Sequence, residues 1–198
     1  TEGAEVPSTP TFSWLIASGE ESDELQMSTN PAPGENGGFA NDDARRTEFL
    51  DRSQTAFAVG GAEPLNAGVW FWHVRTYDQD YDSHWSPVGS FRVRDEPPVL
   101  KAFSVDDLAC IDEVSLELEY FDNSESQLVR WRLDFTEKRN GPRKARIRGT
   151  ATDGSMYESV NTPSRLKRGK RYWIKLSLQD PAAQEVVSKP RRLLLGRC

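Results

Sequence analysis

The sequence predicts an all-β chain built as two antiparallel β-sandwiches in tandem. Three observations carry this. Apolar and polar residues alternate over short runs from one end of the chain to the other, the pattern of strands with one buried face. No stretch shows an apolar stripe at helical spacing. A stiff proline pair, Pro97-Pro98, divides the 198 residues into halves of about 100 residues, each large enough for its own core.

Composition bounds the class. Six Trp, five Tyr and nine Phe are too many aromatics for a disordered chain. No apolar run approaches the ~18 residues that a membrane helix needs. Nothing at the start reads as an export signal, which is compatible with one removed before Thr1. The net charge of −6 hides a split. Residues 1–96 hold 6 Lys+Arg and 17 Asp+Glu, or −11, and residues 97–198 hold 19 and 14, or +5. A change of sign between halves fits two joined units and creates a long-range dipole.

In chain order, residues 1–9 read as a flexible leader. Domain 1, acidic, is expected over 10–96. Its strands are signalled by Phe12, Trp14 and Ile16, by Leu25 and Met27, and by Phe49 before a turn at Asp51. Phe57 with Val59, the strong run Trp70, Trp72 and Val74, and Phe91 with Val93 complete the set. On this parity His73 and Arg75 face water. The polar stretch Glu35–Thr47 is expected to be a surface loop. Asp95-Glu96-Pro97-Pro98 then interrupts the pattern, since proline cannot donate to a ladder, and serves as a short semi-rigid linker.

Domain 2, basic, is expected over 97–198. Val114, Leu116, Leu118 and Tyr120 alternate with Ser115, Glu117 and Glu119. Val129, Trp131, Leu133 and Phe135 alternate with Arg130, Arg132 and Asp134. Ala145 and Ile147 alternate with arginines, Tyr172 to Leu178 repeats the pattern, and Leu193 with Leu195 ends it. That is roughly seven strands per half, the count of an immunoglobulin-like sandwich.

The halves share a signature. Leu65-Asn66-Ala67-Gly68-Val69-Trp70-Phe71-Trp72 matches Leu166-Lys167-Arg168-Gly169-Lys170-Arg171-Tyr172-Trp173 as Leu-x-x-Gly-x-x-aromatic-Trp. The leucine plugs the bottom of a sandwich, and the glycine permits the tight turn between sheets. This resembles the fibronectin type III family, where such a corner opens strand F. Pro10–Trp14 is similar to the family's strand B, Trp70–Asp78 to strand F, and Trp85–Val93 to strand G as found in bacterial surface proteins. The resemblance covers residues 8–96 well and 97–198 more loosely. It implies an adhesive or spacer module and leaves the ligand open. The corner tyrosine of the first module is replaced by Trp70 or Phe71, so its hydroxyl-to-backbone bond is absent or altered.

Five groups of residues are candidates for chemistry. Cys110, between the first two strands of domain 2, and Cys198, after its last strand, fall at one pole of a seven-stranded sandwich. A disulfide there implies an oxidising compartment: extracellular, cell surface or periplasmic; two free thiols are the alternative. Asp78, Asp80 and Asp82 offer oxygens to calcium, but the expected glycine is Ser83 and no bidentate glutamate follows, so a solvated acidic loop is the competing reading. Trp70, Trp72 and Trp85 with Arg75 and Arg92 suit cation–π layers. Tyr77, Tyr81 and Trp85 could instead stack on sugar rings.

The fifth group is basic. Arg130 and Arg132 lie on one strand, Lys144, Arg146 and Arg148 on the neighbouring hairpin, and Arg168 and Lys170 at the corner. Such a face attracts phosphates, sulfated or uronic sugars, or the acidic first module of another copy, with Glu117 and Glu119 as partial neutralisers, or it merely discourages edge-to-edge aggregation. Nucleic acid does not fit an acidic chain outside the cytosol. Catalysis finds no support. His73 and His84 have no nucleophile or ligand partner at a meaningful spacing, no phosphate loop is present, and no cofactor is implied. The expectation is a non-catalytic protein-interaction or structural pair, self-association included, with a carbohydrate-binding module as the alternative.

Overall fold

The computed structural model describes the chain apart from residues 1–2, 16–21, 35–36, 43–44, 52–53, 79–80, 83, 109–112, 125–126 and 197–198. Every regular element named among the described residues is a strand. Among the described residues no helix is long and apolar enough to cross a membrane. The chain forms two compact units, Thr1–Asp95 and Glu96–Cys198.

Unit 1 contains β1 (Ala4–Val6), β2 (Thr11–Ser13), β3 (Ser22–Ser28), β4 (Arg45–Asp51), β5 (Ala56–Ala58), β6 (Gly68–Asp78), β7 (Tyr81–Asp82) and β8 (Gly89–Val93). One sheet runs β1-β8-β6-β3-β4, with β7 extending β6, and β2 pairs with β5 in a second. Aromatic and β-branched residues favour these extended segments. Leu25 and Met27 of β3, Trp70 of β6, and Phe91 and Val93 of β8 are buried with Phe12 of β2. The Phe12 ring lies 5.4 Å from both Phe91 and Trp72.

Four expectations for unit 1 fail. The leader is not free, because Ala4–Val6 pairs in parallel with Phe91–Val93 and Val6 packs on the core. A three-residue strand is too short to show alternation, yet it covers what would otherwise be an open sheet edge. Nor is Glu35–Thr47 simply a surface loop. Phe39 within it is buried, and Arg45–Thr47 begins β4. His73 is 2% exposed rather than hydrated. Finally, on β4, Leu50 is the buried residue, and Phe49 points out.

Unit 2 contains β9 (Val99–Leu108), β10 (Glu113–Phe121), β11 (Val129–Thr136), β12 (Arg143–Ala151), β13 (Ser155–Asn161), β14 (Arg171–Gln179), β15 (Glu185–Val187) and β16 (Arg191–Leu194). Its sheets are β13-β10-β9 and β12-β11-β14, the latter edged by both β15 and β16. The last edge is thus divided, where seven strands were expected. Pro190 cannot donate to the ladder, and Ser188 bridges the break: its N–H donates to Leu176 O, and its Oγ accepts from Leu176 N–H. Unit 1 uses the same device at Ser86 against Val74.

The predicted alternation holds in β11, where Val129, Trp131, Leu133 and Phe135 are all fully buried. They meet Leu116, Leu118 and Tyr120 of β10 in one core. Glu117 and Glu119 therefore do not neutralise the arginines of β11. Their strand belongs to the other sheet.

Candidate functional site

The outward face of β12-β11-β14 is built by parity. Inward Trp131 and Leu133 force Arg130, Arg132 and Asp134 outward. Inward Ala145 does the same for Lys144, Arg146 and Arg148. Register then sets the neighbours. Arg132 faces Arg148 on one side and Ser177 on the other, while Arg130 lies between Thr150 and Gln179. A shallow groove of about 380 Å³ runs among them. Two carboxylates lie alongside. Asp134 takes both Nε and Nη2 of Arg146, at 2.6 and 2.8 Å, and Glu185 takes Nη2 of Arg132 at 2.5 Å. The Asp134 bonds raise the pKa of Arg146 above its ordinary value. Lys144 pairs with Glu137 at 3.6 Å. Arg168 and Lys170 are not on this face. They sit in the turn before β14, where Arg168 bonds to Thr162 Oγ1.

Unit 1 hides a second cluster on the outward face of β3 and β6. Phe39, from the loop after β3, stacks on His73, and His73 stacks on Trp85, each at 4.0 Å. The Arg75 guanidinium lies 4.6 Å from the Trp85 ring and bonds to buried Glu24 at 2.7 Å. Gln26 ties the layer together. Its Oε1 accepts from Phe39 N–H and from His73 Nε2, and its Nε2 donates to Glu24. With Gln26 Oε1 as acceptor, Nε2 of the imidazole carries the proton. Burial lowers the His73 pKa to about 4, with Glu24 opposing and Arg75 assisting. The imidazole is therefore neutral near pH 7 and serves as a stacking plate. A depression of about 650 Å³, lined by Arg45, Thr47, Phe49, Arg75 and Trp85 among others, opens beside it.

The paired corners behave differently. In unit 2, Tyr172 OH accepts from Lys167 N–H at 2.8 Å over buried Leu166, the tyrosine corner of such sandwiches. In unit 1, Trp70 Nε1 donates instead, to Asn66 O at 2.8 Å over buried Leu65. The direction of the bond is reversed and the clamp kept. Gly68 and Gly169 have φ of 139° and 75°, values that a side chain would strain. The two sheets of each unit and the clamped corner between them make a fibronectin type III-like, immunoglobulin-like sandwich.

Solved structures that align with the whole chain are distant. The FN1–FN3 domains of chicken CNTN1 align with 99% of this chain and 63% of their own, at 12% identity and a TM-score of 0.39. The chicken interferon gamma receptor alpha chain aligns over 99% and 96%, at 12% identity and 0.40. Dimeric latent PorU from Porphyromonas gingivalis aligns over 100% and 19%, at 12% identity and 0.41. This chain thus spans less than two thirds of the first of these and a fifth of the last. No family model matches the sequence, and no curated protein does.

The remaining candidates divide by what is described. Cys110, Cys198 and Asp80 lie outside the described residues. Tyr77, Asp78, Tyr81 and Asp82 are described only as backbone, at the β6–β7 hairpin. Trp85 is already engaged by His73 and Arg75. Of the expected cation–π group only the Arg75–Trp85 contact is seen among the described residues, since Trp70 and Trp72 pack in or against the core; unit 2 has a contact that was not expected, Arg192 over Trp173 at 4.9 Å. Sequence reading missed Glu24, Gln26 and Phe39. The only signal was their placement, two polar residues flanking Leu25 in a strand whose outer face should have been wet.

Proposed function

We propose that this chain is a non-catalytic pair of modules acting outside the cytosol, extracellular, at the cell surface or in the periplasm. It contacts a protein partner or holds a place in a larger surface assembly. The observation that carries this is the exposed arginine face of β12-β11-β14. There Arg132 stands directly opposite Arg148, a like-charge placement that costs stability; Glu185 already pairs with Arg132, so Arg148 and Arg130 are the cations that a partner's carboxylates would meet. Guanidinium binds carboxylate as a fork, which adds specificity to charge. The engaged Trp85 ring favours a protein partner over a sugar.

Polyglutamate and polygalacturonate are suitable probes for the wild-type chain and for R130A,R148A. Retention of polyglutamate that falls in the variant supports the reading. Preference for polygalacturonate, lost on Tyr81→Ala, moves the function to carbohydrate binding. Retention of neither probe refutes an acidic partner.

A disulfide between Cys110 and Cys198, both outside the described residues, is part of this proposal and would support the compartment. The described residues that flank the cysteines approach one pole. Glu113, at the start of β10, pairs with Asn161. The chain leaving Asn161 enters β14 at Arg171, which pairs with Leu194. A bridge closing this long loop adds on the order of 3–5 kcal/mol. Non-reducing mass spectrometry should show one intramolecular link. Two free thiols in oxidatively prepared protein would remove this support.

A further inference from the structure

Unit 2 carries two sheet faces of opposite sign. The outward positions of β9 and β10 include Asp106, Glu113, Glu117 and Glu119. Glu117 and Glu119 are exposed in mid-strand. Tyr157 of β13 stands directly opposite Glu117 and is 71% exposed. A groove of about 570 Å³ runs between these side chains. The outward face of the other sheet carries the arginine groove. Because the inner faces of the two sheets share one core, their outer faces point in opposite directions.

We propose that the glutamate–tyrosine face of β13-β10-β9 in one copy docks on the arginine face of β12-β11-β14 in a second copy. This rests on the reading of the arginine face as an interaction surface and names its partner. The argument is charge complementarity on a matched lattice. Glu117 and Glu119 are two residues apart on one strand, about 7 Å, and Arg130 and Arg132 have the same spacing on theirs. Flanking strands lie about 4.8 Å away on both faces, which places Tyr157 beside the glutamates and Arg148 beside the arginines. Glu185 already pairs with Arg132, so an entering carboxylate meets Arg130 and Arg148, the two cations flanking that pair. The Tyr157 ring offers a face to a guanidinium, a cation–π contact that strengthens as water leaves. Tyrosine and arginine are also the residue types that interfaces concentrate. Since the two faces differ, the contact is head-to-tail. Each docked copy leaves one face of each kind open, and copies add into rings or linear arrays.

Sedimentation velocity of the full chain over a concentration series, at low and high salt, tests this. The wild type should associate at low salt and dissociate at high salt. E117Q,E119Q and R130Q,R148Q each neutralise one face at exposed positions, so each alone should associate at least about tenfold more weakly, a loss of about 1.4 kcal/mol. Mixed together they should form one-to-one dimers and nothing larger, because each keeps the face that the other lost. Tyr157→Ala should weaken assembly without changing charge. Unchanged circular dichroism of the variants excludes misfolding as the cause. A wild type that is monomeric at every concentration, or a mixture that does not pair, overturns the proposal. Polyglutamate retention by a monomeric wild type would sink self-docking and leave the acidic-partner reading standing.

Discussion

His73 shows how one residue can report on a layer. Its folded pKa, about 4, lies below the ordinary value near 6.5. The unfolded chain therefore binds the proton first as pH falls. The stability that His73 contributes is complete above about pH 6.5 and is lost progressively toward pH 4. Protonation would also leave a charged ring between Phe39 and Trp85. Denaturant unfolding of the wild type should weaken across that window. His73→Phe, which keeps a ring in the stack and removes the titrating group, should flatten this part of the profile while costing stability at neutral pH through the lost Gln26 bond. An unchanged slope in the variant would assign the pH dependence elsewhere.

At the scale of elements, strand contacts explain a glycine that composition leaves unremarkable. Gly149 of β12 pairs with Trp131 of β11. A Cβ at this position would lie 2.6 Å from Cζ2 of the indole. The bulkiest core side chain thus needs a gap in the neighbouring strand. Gly149→Ala should destabilise unit 2 by about 1–3 kcal/mol, the cost of overpacking a rigid interior, and thermal unfolding would measure it. Enhanced stability would show that β12, as an edge strand, yields instead. The repeated serine device at Ser86 and Ser188 belongs to the same scale. A side-chain oxygen replaces a ladder acceptor where proline interrupts the edge, so that β6 and β14 keep their bonds.

For the whole molecule, two cores divide the stability. Phe12, Leu25, Trp70 and Phe91 belong to one cluster, and Trp131, Tyr120, Tyr172 and Leu133 to another. Residues 1–95 and 96–198 expressed separately should each fold and unfold cooperatively, as domains with their own cores do. Calorimetry of the pieces against the full chain checks this. A piece that is unfolded alone would show that its stability depends on its neighbour. Charge follows the same division: the acidic first half and basic second half make any association of the full chain sensitive to salt.

The sequence by itself determined the β-class and the inward residues of the longer alternating strands, because period two is a local property of an extended backbone and one face must leave water; it missed β1 and put Phe49 inside where Leu50 is buried. It also marked both corners, since a leucine, a glycine with positive φ and an aromatic act within eight residues of chain. Only the tertiary structure decided which outward residues are wet. Glu24, Gln26 and His73 have outward parity, yet Phe39 and Trp85 cover them from segments distant along the chain. Likewise, parity alone placed Glu117 and Arg132 outside, while strand order put them on opposite sheets. Parity says which side of a strand a residue occupies. Pairing between distant segments sets which surface that side becomes, and what covers it.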